Sequence, residues 1–446
     1  ITRQKENVLV AFYKDNSQDW RFSFVKFDTN LKQDDKGNFK VEKELTPAKR
    51  YSFLVGAQEP NHTAQSRLVE LLAKEYPVLS EIEEAFNVEK ISKELEMRDE
   101  KYKELTEKFP DITIKIVQLS KLNRIKKLKL FSSHEYWIIG GGGLFPSESR
   151  KMAMQYLLRM LWARVNGVKV SMYGVEFNSF NDKLYSAIWR KAFSLCSNVI
   201  VRNRTNKKMI SDLGYGKAVE SSDVTFALDT DSELKDESSL LKNIKASGKE
   251  YIIWAISTPW LNREFENPEI SENINRRYKT LCDLIASEIN SYPEFTHVFL
   301  PFYDSMDLRI AHDLAKMVKV SFICCDEKMN INIAEKRYLY KYARAAICMR
   351  FHSVLFALFH ETPFCAISYS PKTSSVLLEN EMEDRMVLYG VRSSQYFYKE
   401  FDVDEVAFRQ LVRKTIENPI RNSQQSKLLK TQAREAEKVL LHWISG

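Results

Sequence analysis

The sequence predicts an α/β protein of two doubly wound parallel sheets, preceded by a smaller α+β segment. Three observations predict it. Runs such as YIIWAIS, AAICMR and PFCAISYS are apolar at nearly every position, as strands buried on both faces are. These runs alternate with amphipathic helical stretches, the pattern of repeated βα units whose helices cover both faces of a sheet. A polar stretch, DTDSELKDESSLLKNIKASGKE, separates two such series and reads as a connection between two sheets.

In chain order, NVLVAFYKDNSQDWRFSFVKFDT places alternating aromatic and aliphatic residues around an Asp-Asn-Ser turn and predicts a β-hairpin. The following charged stretch, RLVELLAKEYPVLSEIEEAFNVEKISKELEMRDEKYKELTEKF, reads as helical, with a junction near residue 97. The first βα series then runs through ITIKIVQL, a basic helix, EYWIIGGGG, RKMAMQYLLRMLWARVNG, VKVSMYGV, KLYSAIWRKAFSLC, NVIVRNR and TNKKMISDLG. The second runs through YIIWAIS, RRYKTLCDLIASEI, HVFLPFY, DLRIAHDLAKMV, VSFICC, AAICMR, HSVLFALFH and PFCAISYS. The last helix, SKLLKTQAREAEKVLLHWI, sets Leu429, Ala433, Ala436, Leu440 and Trp443 on one face, so it docks. The expected organisation is an N-terminal segment over 1–96, a first domain over 97–235, a second over 236–420 and a docking helix over 421–446.

Composition narrows the function. With 446 residues, 44% hydrophobic and 28% charged, the chain has ample core for two or more domains. It begins at Ile1, so the lack of a leader says little. No apolar run approaches the ~20 residues of a spanning helix. Six cysteines (Cys196, Cys282, Cys324, Cys325, Cys348, Cys365) form no CxxC pair and read as reduced buried thiols of a cytoplasmic protein. A net charge of +7 suits an anionic small substrate or a membrane surface better than nucleic acid, so no nucleic-acid partner is expected.

Candidate chemistry sits where strands end. Ligands of open α/β sheets bind beyond the carboxyl ends of strands, where helix N-termini offer unpaired amides. Arg350 ends the strand AAICM and His352 opens the next helix, so an apolar run delivers a charge to the rim of its sheet. Arg202 ends NVIV in the same way, with Arg204 just after it. Two guanidiniums facing across a cleft suit a phosphate or carboxylate; for any single arginine, a structural ion pair is the more ordinary reading. His352 at a helix N-terminus leans toward its neutral form, useful to a general base unless an anion raises its pKa. Gly140, Gly141, Gly142 and Gly143 follow YWII and let a backbone approach a ligand, though a bare glycine turn fits equally. Lys372 lies just past the strand AISYS, where a solvated turn is the ordinary reading. There is no G-x-S-x-G, no paired Cys and His and no metal-ligand spacing, so neither a metal nor a cofactor is expected. LNRIKKLKL could meet an anionic bilayer, against the more ordinary solvated helix face.

In order, WIIGGGGLF, VIVRNRTNKKMISDLG with SSDVTFALD, LPFYDSMDLRIAHDLA and CMRFHSVLFALFHETPFCAISYSPK resemble the polysaccharide pyruvyl transferase family over roughly residues 100–420. The resemblance implies two Rossmann-like domains in a GT-B-like arrangement. It also implies transfer of a pyruvyl group from phosphoenolpyruvate to two hydroxyls of a sugar in a surface polysaccharide, releasing phosphate and leaving a ketal. By that resemblance Arg202 and Arg350 hold the donor's phosphate and carboxylate, and His352 serves proton transfer. The acceptor would be an oligosaccharide or a lipid-linked sugar, met in the cytoplasm or through peripheral contact at the inner face of the membrane. The sequence departs from the family at Arg202-Asn203, where Arg-Asp is usual, and at Asp223-Val224-Thr225-Phe226, where an Asp-Pro-Ala-Phe-type stretch is usual. Residues 97–119 resemble the family's first helix and second strand, with its opening strand and Gly-Asn-x-Gly-Asp-like turn missing. Instead, ELTPAKRYSFLVGAQEPNHTAQSRLVELL with LSEIEEAFNVEKISKEL resembles an N-terminal region of Eco57I-like restriction-modification enzymes, without their Asn-Pro-Pro-Tyr motif. Two alternatives remain open: a GT-B glycosyltransferase using a nucleotide sugar, and a nucleic-acid-associated module led by the N-terminal segment, against which the acidic stretch at Glu81–Glu84 speaks.

Overall fold

The computed structural model describes residues 8–14, 20–26, 51–56, 62–76, 80–86 and, between 102 and 445, all but 104, 111, 146–148, 178, 229–238, 259–267, 303, 326–330, 332 and 393–397. Strands β1 (Val8–Lys14) and β2 (Trp20–Lys26) form the expected antiparallel hairpin, with Val8 opposite Lys26; its turn lies outside the described residues.

The first large sheet holds β3 (Tyr51–Gly56), β4 (Ser80–Phe86), β5 (Thr113–Gln118), β6 (Tyr136–Phe145), β7 (Lys169–Phe177), β8 (Val199–Val201) and β9 (Val219–Glu220). They lie in the order β5-β4-β3-β6-β7-β8-β9, every neighbouring pair parallel. Its helices are α1 (His62–Glu75), α2 (Arg124–Leu130), α3 (Arg150–Val165), α4 (Lys183–Leu195) and α5 (Arg204–Asp212). The second sheet holds β10 (Tyr251–Ala255), β11 (Thr296–Phe299), β12 (Phe322–Cys324), β13 (Ala345–Cys348), β14 (Phe364–Ser368), β15 (Met386–Arg392) and β16 (Tyr398–Val403). Their order is β12-β11-β10-β13-β14-β15-β16, parallel except for the antiparallel edge pair β15/β16. Its helices are α6 (Ser239–Ser247), α7 (Pro268–Asn290), α8 (Asp304–Met317), α9 (Ile333–Tyr342), α10 (Phe351–Phe359), α11 (Pro371–Glu379) and α12 (Glu405–Glu417). Both sheets reverse strand order at their centre, between β3 and β6 and between β10 and β13, the place in open α/β sheets beyond whose carboxyl ends ligands bind.

Three expectations are corrected. Strands do precede residues 97–119 in the first sheet: β3 lies in its middle, pairing β4 through Phe53–Ile82 and β6 through Phe53–Tyr136. Phe53, Leu54 and Val55 are fully buried, a burial that a peripheral segment would not give them. The first sheet therefore draws on the chain from residue 51, not 97, and 113–118 is its third strand rather than its second. SEIEEAF, taken for helix on its glutamates, is β4; pairing on both sides overrides helix propensity, with Ile82 in the core and Lys115 of β5 2.6 Å from Glu81. Finally, the polar connection ends in α6, whose Leu240, Leu241 and Ile244 are buried together, and a crossover helix that the sequence reading lacked, α9, returns the chain from the edge strand β12 to β13, which runs parallel to it beyond β11 and β10.

The last helix, α13 (Ser423–Ser445), docks as expected and bridges both halves. Leu429 and Ala433 enter the core of the second domain, while Ala436, Leu440 and Ile444 enter that of the first. Arg67 of α1 clamps its Glu437 at 3.0 Å in a buried pair, and Tyr136 donates to the Ile444 carbonyl at 3.0 Å.

Candidate active site

Three neighbouring strands of the first sheet end in charge. Glu176 lies near the carboxyl end of β7, Arg202 follows β8, and Asp223 follows β9, where it caps the short 3-10 turn Val224–Ala227. Arg202 is buried between the two carboxylates: Nη1 donates to Asp223 at 3.0 Å and Nη2 to Glu176. Burial alone would depress its pKa, but the two acids outweigh that and raise it. Asp223 shows the converse, burial pushing its carboxyl up while Arg202, His352 and the Thr225 N–H at 3.0 Å bring the balance below the usual range. Asn203 caps α5, accepting from the Asn206 N–H at 2.7 Å.

The second sheet answers from the other side. Arg350 occupies the N-cap of α10 between β13 and the helix, and Lys372 sits in the first turn of α11, after β14. Arg350 donates through Nη2 to Asp307 of α8 at 2.6 Å, and through Nη1 to the Tyr369 hydroxyl at 3.5 Å. Asp307 is fully buried and also accepts the Phe302 N–H at 3.0 Å. Burial lowers the Arg350 pKa, but Tyr369 and Asp307 outweigh it and leave it raised.

The two halves meet here. The Arg202 guanidinium lies 5.0 Å from the Phe351 ring centroid, and Lys372 Nζ lies 3.6 Å from Glu176. His352 stands within electrostatic reach of Asp223, Arg202, Lys372 and Arg350. Its pKa is lowered, first by burial and then by the three cations, with only Asp223 opposing. Among the described residues its ring makes no side-chain hydrogen bond and packs edge-on against Phe351, and its lowered pKa favours the neutral imidazole. The Lys372 pKa is likewise lowered by burial and Arg202, against Glu176 and Asp223. A second link joins the halves: the Glu379 carboxylate at the end of α11 accepts the N–H groups of Arg204 and Thr205 at 3.2 Å, and the Thr205 hydroxyl.

Of the residues singled out from sequence, Arg202, Arg350, His352 and Lys372 are brought together. They are not the bare clamp of two guanidiniums expected there. Arg202 is held by two carboxylates and Arg350 by Asp307 with the Tyr369 hydroxyl, because a buried charge needs a partner. The Arg204 side chain is exposed, 3.6 Å from Glu220. Gly140–Gly143 form part of β6 itself rather than a turn after it, with Gly140 opposite Tyr173 and Gly142 opposite Val175. A Cβ at Gly140 would lie 3.2 Å from Leu68, so that glycine admits the side of α1. Sequence reading missed Glu176, Asp307, Tyr369 and Glu379. Glu176 carried a signal, an acid near the end of an apolar strand, the feature that had marked Arg202. Among the described residues no His, Cys, Asp or Glu group could hold a metal.

A family model for polysaccharide pyruvyl transferases matches residues 82–371, about two thirds of the chain. The chain belongs to the polysaccharide pyruvyl transferase family. The family implies a transferase acting on a polysaccharide. No curated protein matches the chain. Among solved structures it is similar to a Listeria monocytogenes protein assigned as a UDP-N-acetylglucosamine 2-epimerase (10% identity, TM-score 0.57, covering 89% of this chain and 96% of that one). It is also similar to a UDP-glucosyltransferase from Polygonum tinctorium (9%, 0.51, covering 88% and 94%). A UDP-GlcNAc 2-epimerase from Methanocaldococcus jannaschii is a third (12%, 0.50, covering 89% and 100%). At these identities the likeness is one of fold, and the two-domain α/β arrangement is GT-B-like. None of these comparisons carries the Eco57I-like resemblance of the N-terminal region.

Proposed function

We propose that this member of the family transfers a pyruvyl group from phosphoenolpyruvate to two hydroxyls of one sugar, forming a pyruvate ketal and releasing phosphate. The observation that carries the reading is the place of His352 at the start of α10, its ring without a side-chain hydrogen bond among the described residues and Arg202, Arg350 and Lys372 around it. These three cations stand against three carboxylates, Glu176, Asp223 and Asp307, so a small trianion must draw at least one of them toward itself. Lys372, partly exposed and only 3.6 Å from Glu176, is the cation most able to turn to a phosphate or carboxylate. Arg350 reaches the Tyr369 hydroxyl through Nη1 only at 3.5 Å.

The chemistry follows from these roles. Protonation of the methylene carbon makes an oxocarbenium-like centre at the phosphate-bearing carbon. A sugar hydroxyl adds there and gives up its proton, the C–O bond to phosphate breaks, and the second hydroxyl closes the ketal with loss of its own proton. The first hydroxyl's proton passes through His352, which takes it up and as imidazolium delivers it to the methylene carbon as the hydroxyl oxygen adds, and the second hydroxyl's proton leaves on the departing phosphate. Cations beside the leaving phosphate stabilise charge as it develops.

Calorimetric titration of the wild-type chain separates this reading from nucleotide-sugar transfer. Saturable binding of phosphoenolpyruvate, weakened at least tenfold in Lys372→Ala and indifferent to UDP-sugars, is expected. Saturable UDP-sugar binding with none of phosphoenolpyruvate would replace this reading by glycosyl transfer on the same fold.

A further inference from the structure

The basic run on α2 has an unexpected orientation. A solvated amphipathic helix buries its apolar residues and shows its lysines. In α2 only Leu130 is buried, whereas Ile125 is 78% and Leu128 43% exposed. The neighbouring α3 repeats this: Leu158 is 58%, Trp162 40% and Val165 83% exposed, at positions spaced to share one outer face. The two helices touch, the Trp162 indole N–H donating to the Leu128 carbonyl at 3.0 Å, so these side chains belong to one surface.

The charge on this surface is one-sided. Together α2 and α3 carry eight Lys and Arg and no Asp or Glu, while the whole chain has a net charge of +7. Arg150 is paired with Asp182, and Arg159 lies over the Phe131 and Tyr156 rings. Arg124, Lys126, Lys129, Lys151 and Arg164 are exposed and have no ion pair among the described residues.

We propose that the α2/α3 surface docks the protein on an anionic phospholipid bilayer. Cations alone would fit any polyanion, but apolar side chains raised among them gain nothing from a phosphate backbone in water and gain burial in an acyl-chain boundary. Trp162 suits this level, its indole having an apolar body and a polar edge. Among the described residues no helix is long and apolar enough to cross a membrane, so the contact is peripheral. The inference does not depend on which donor the active site uses.

Flotation of the full chain with vesicles of phosphatidylcholine alone, or of phosphatidylcholine with phosphatidylglycerol, tests it. Binding to the anionic vesicles only is expected, lost when salt is raised from about 0.1 M to about 1 M, which shortens the Debye length from about 10 to about 3 Å. Each cation near an anionic surface contributes about fivefold, so Lys126→Ala with Lys129→Ala is expected to weaken partitioning roughly 25-fold. Ile125→Ser with Leu158→Ser is expected to weaken it with the circular-dichroism melt unchanged, since both positions are exposed. Equal binding to both vesicle types, no binding to either, or full binding by both double variants overturns the proposal. So does a dimer in sedimentation that Ile125→Ser with Leu158→Ser dissociates while vesicles stay unbound, or duplex DNA binding in preference to anionic vesicles.

Discussion

Replacing Arg202 by Met removes the guanidinium that holds Glu176 and Asp223 together while keeping most of the side-chain volume. The three side chains are 5%, 11% and 8% exposed, so water screens little of the interaction. Taking one partner from a buried ionic group costs about 3–5 kcal/mol, a large part of the ~5–15 kcal/mol that stabilises a typical native protein. The loss should also depend on pH in a definite sense. In the wild type the folded Asp223 pKa is below its unfolded value, so its contribution is present above the unfolded pKa, about 3.9, and is lost as pH falls through the folded one. In Arg202→Met the buried Asp223 loses the partner that offsets its burial, its pKa rises above the unfolded value, and stability is regained as pH falls. Below that raised pKa each pH unit restores about 1.4 kcal/mol per proton taken up. Urea unfolding of both proteins at about pH 8 and about pH 5.5 reads this directly, the deficit being larger at the higher pH. A deficit under about 1 kcal/mol, or one equal at both pH values, refutes the ionic account of this site.

Glu379→Ala removes the carboxylate that spans from α11 to the first turn of α5, and is expected to loosen the two halves, raising the radius of gyration in small-angle scattering; an unchanged radius contradicts the latch. Gly174 has φ +63°, and a Cβ there would come 2.7 Å from Val224, next to Asp223; Gly174→Ala is expected to cost about 2 kcal/mol in urea unfolding. His297, His352 and His360 all have lowered pKa values, His360 pushed down to about 3 by burial and then by Arg337, Lys430 and Lys341. Because the unfolded chain takes up these protons first, stability falls as pH drops below about 6.5, by up to about 2 kcal/mol per histidine at pH 5. His360→Gln should show a shallower slope, and an equal slope would exclude that residue from the effect.

Sequence patterning reached the sheets where both faces are buried, because there each strand is a nearly continuous apolar run, as in β10, β13 and β14. It failed at β4, whose glutamates sit on a strand fixed by its neighbours rather than by its own propensity, and at the buried side of α6, hidden in a polar stretch. The cations of the site were legible by one local contradiction, a charge closing an apolar strand, which marked Arg202 and Arg350. Their partners were not: Asp307 and Glu379 lie on helices among ordinary surface charges, and only the tertiary fold brings Asp307 to Arg350 or Glu379 to Thr205. That the arginines are neutralised before a ligand arrives could not be read from spacing alone.

Phosphate release from phosphoenolpyruvate in the presence of an oligosaccharide acceptor, with the product examined by NMR for a ketal methyl group, tests the central claim most directly. Release matched by ketal formation is expected in the wild type, with a loss of at least a hundredfold in kcat for His352→Ala and retained folding. Wild-type release that His352→Ala leaves intact, or a product without a ketal methyl, contradicts the account.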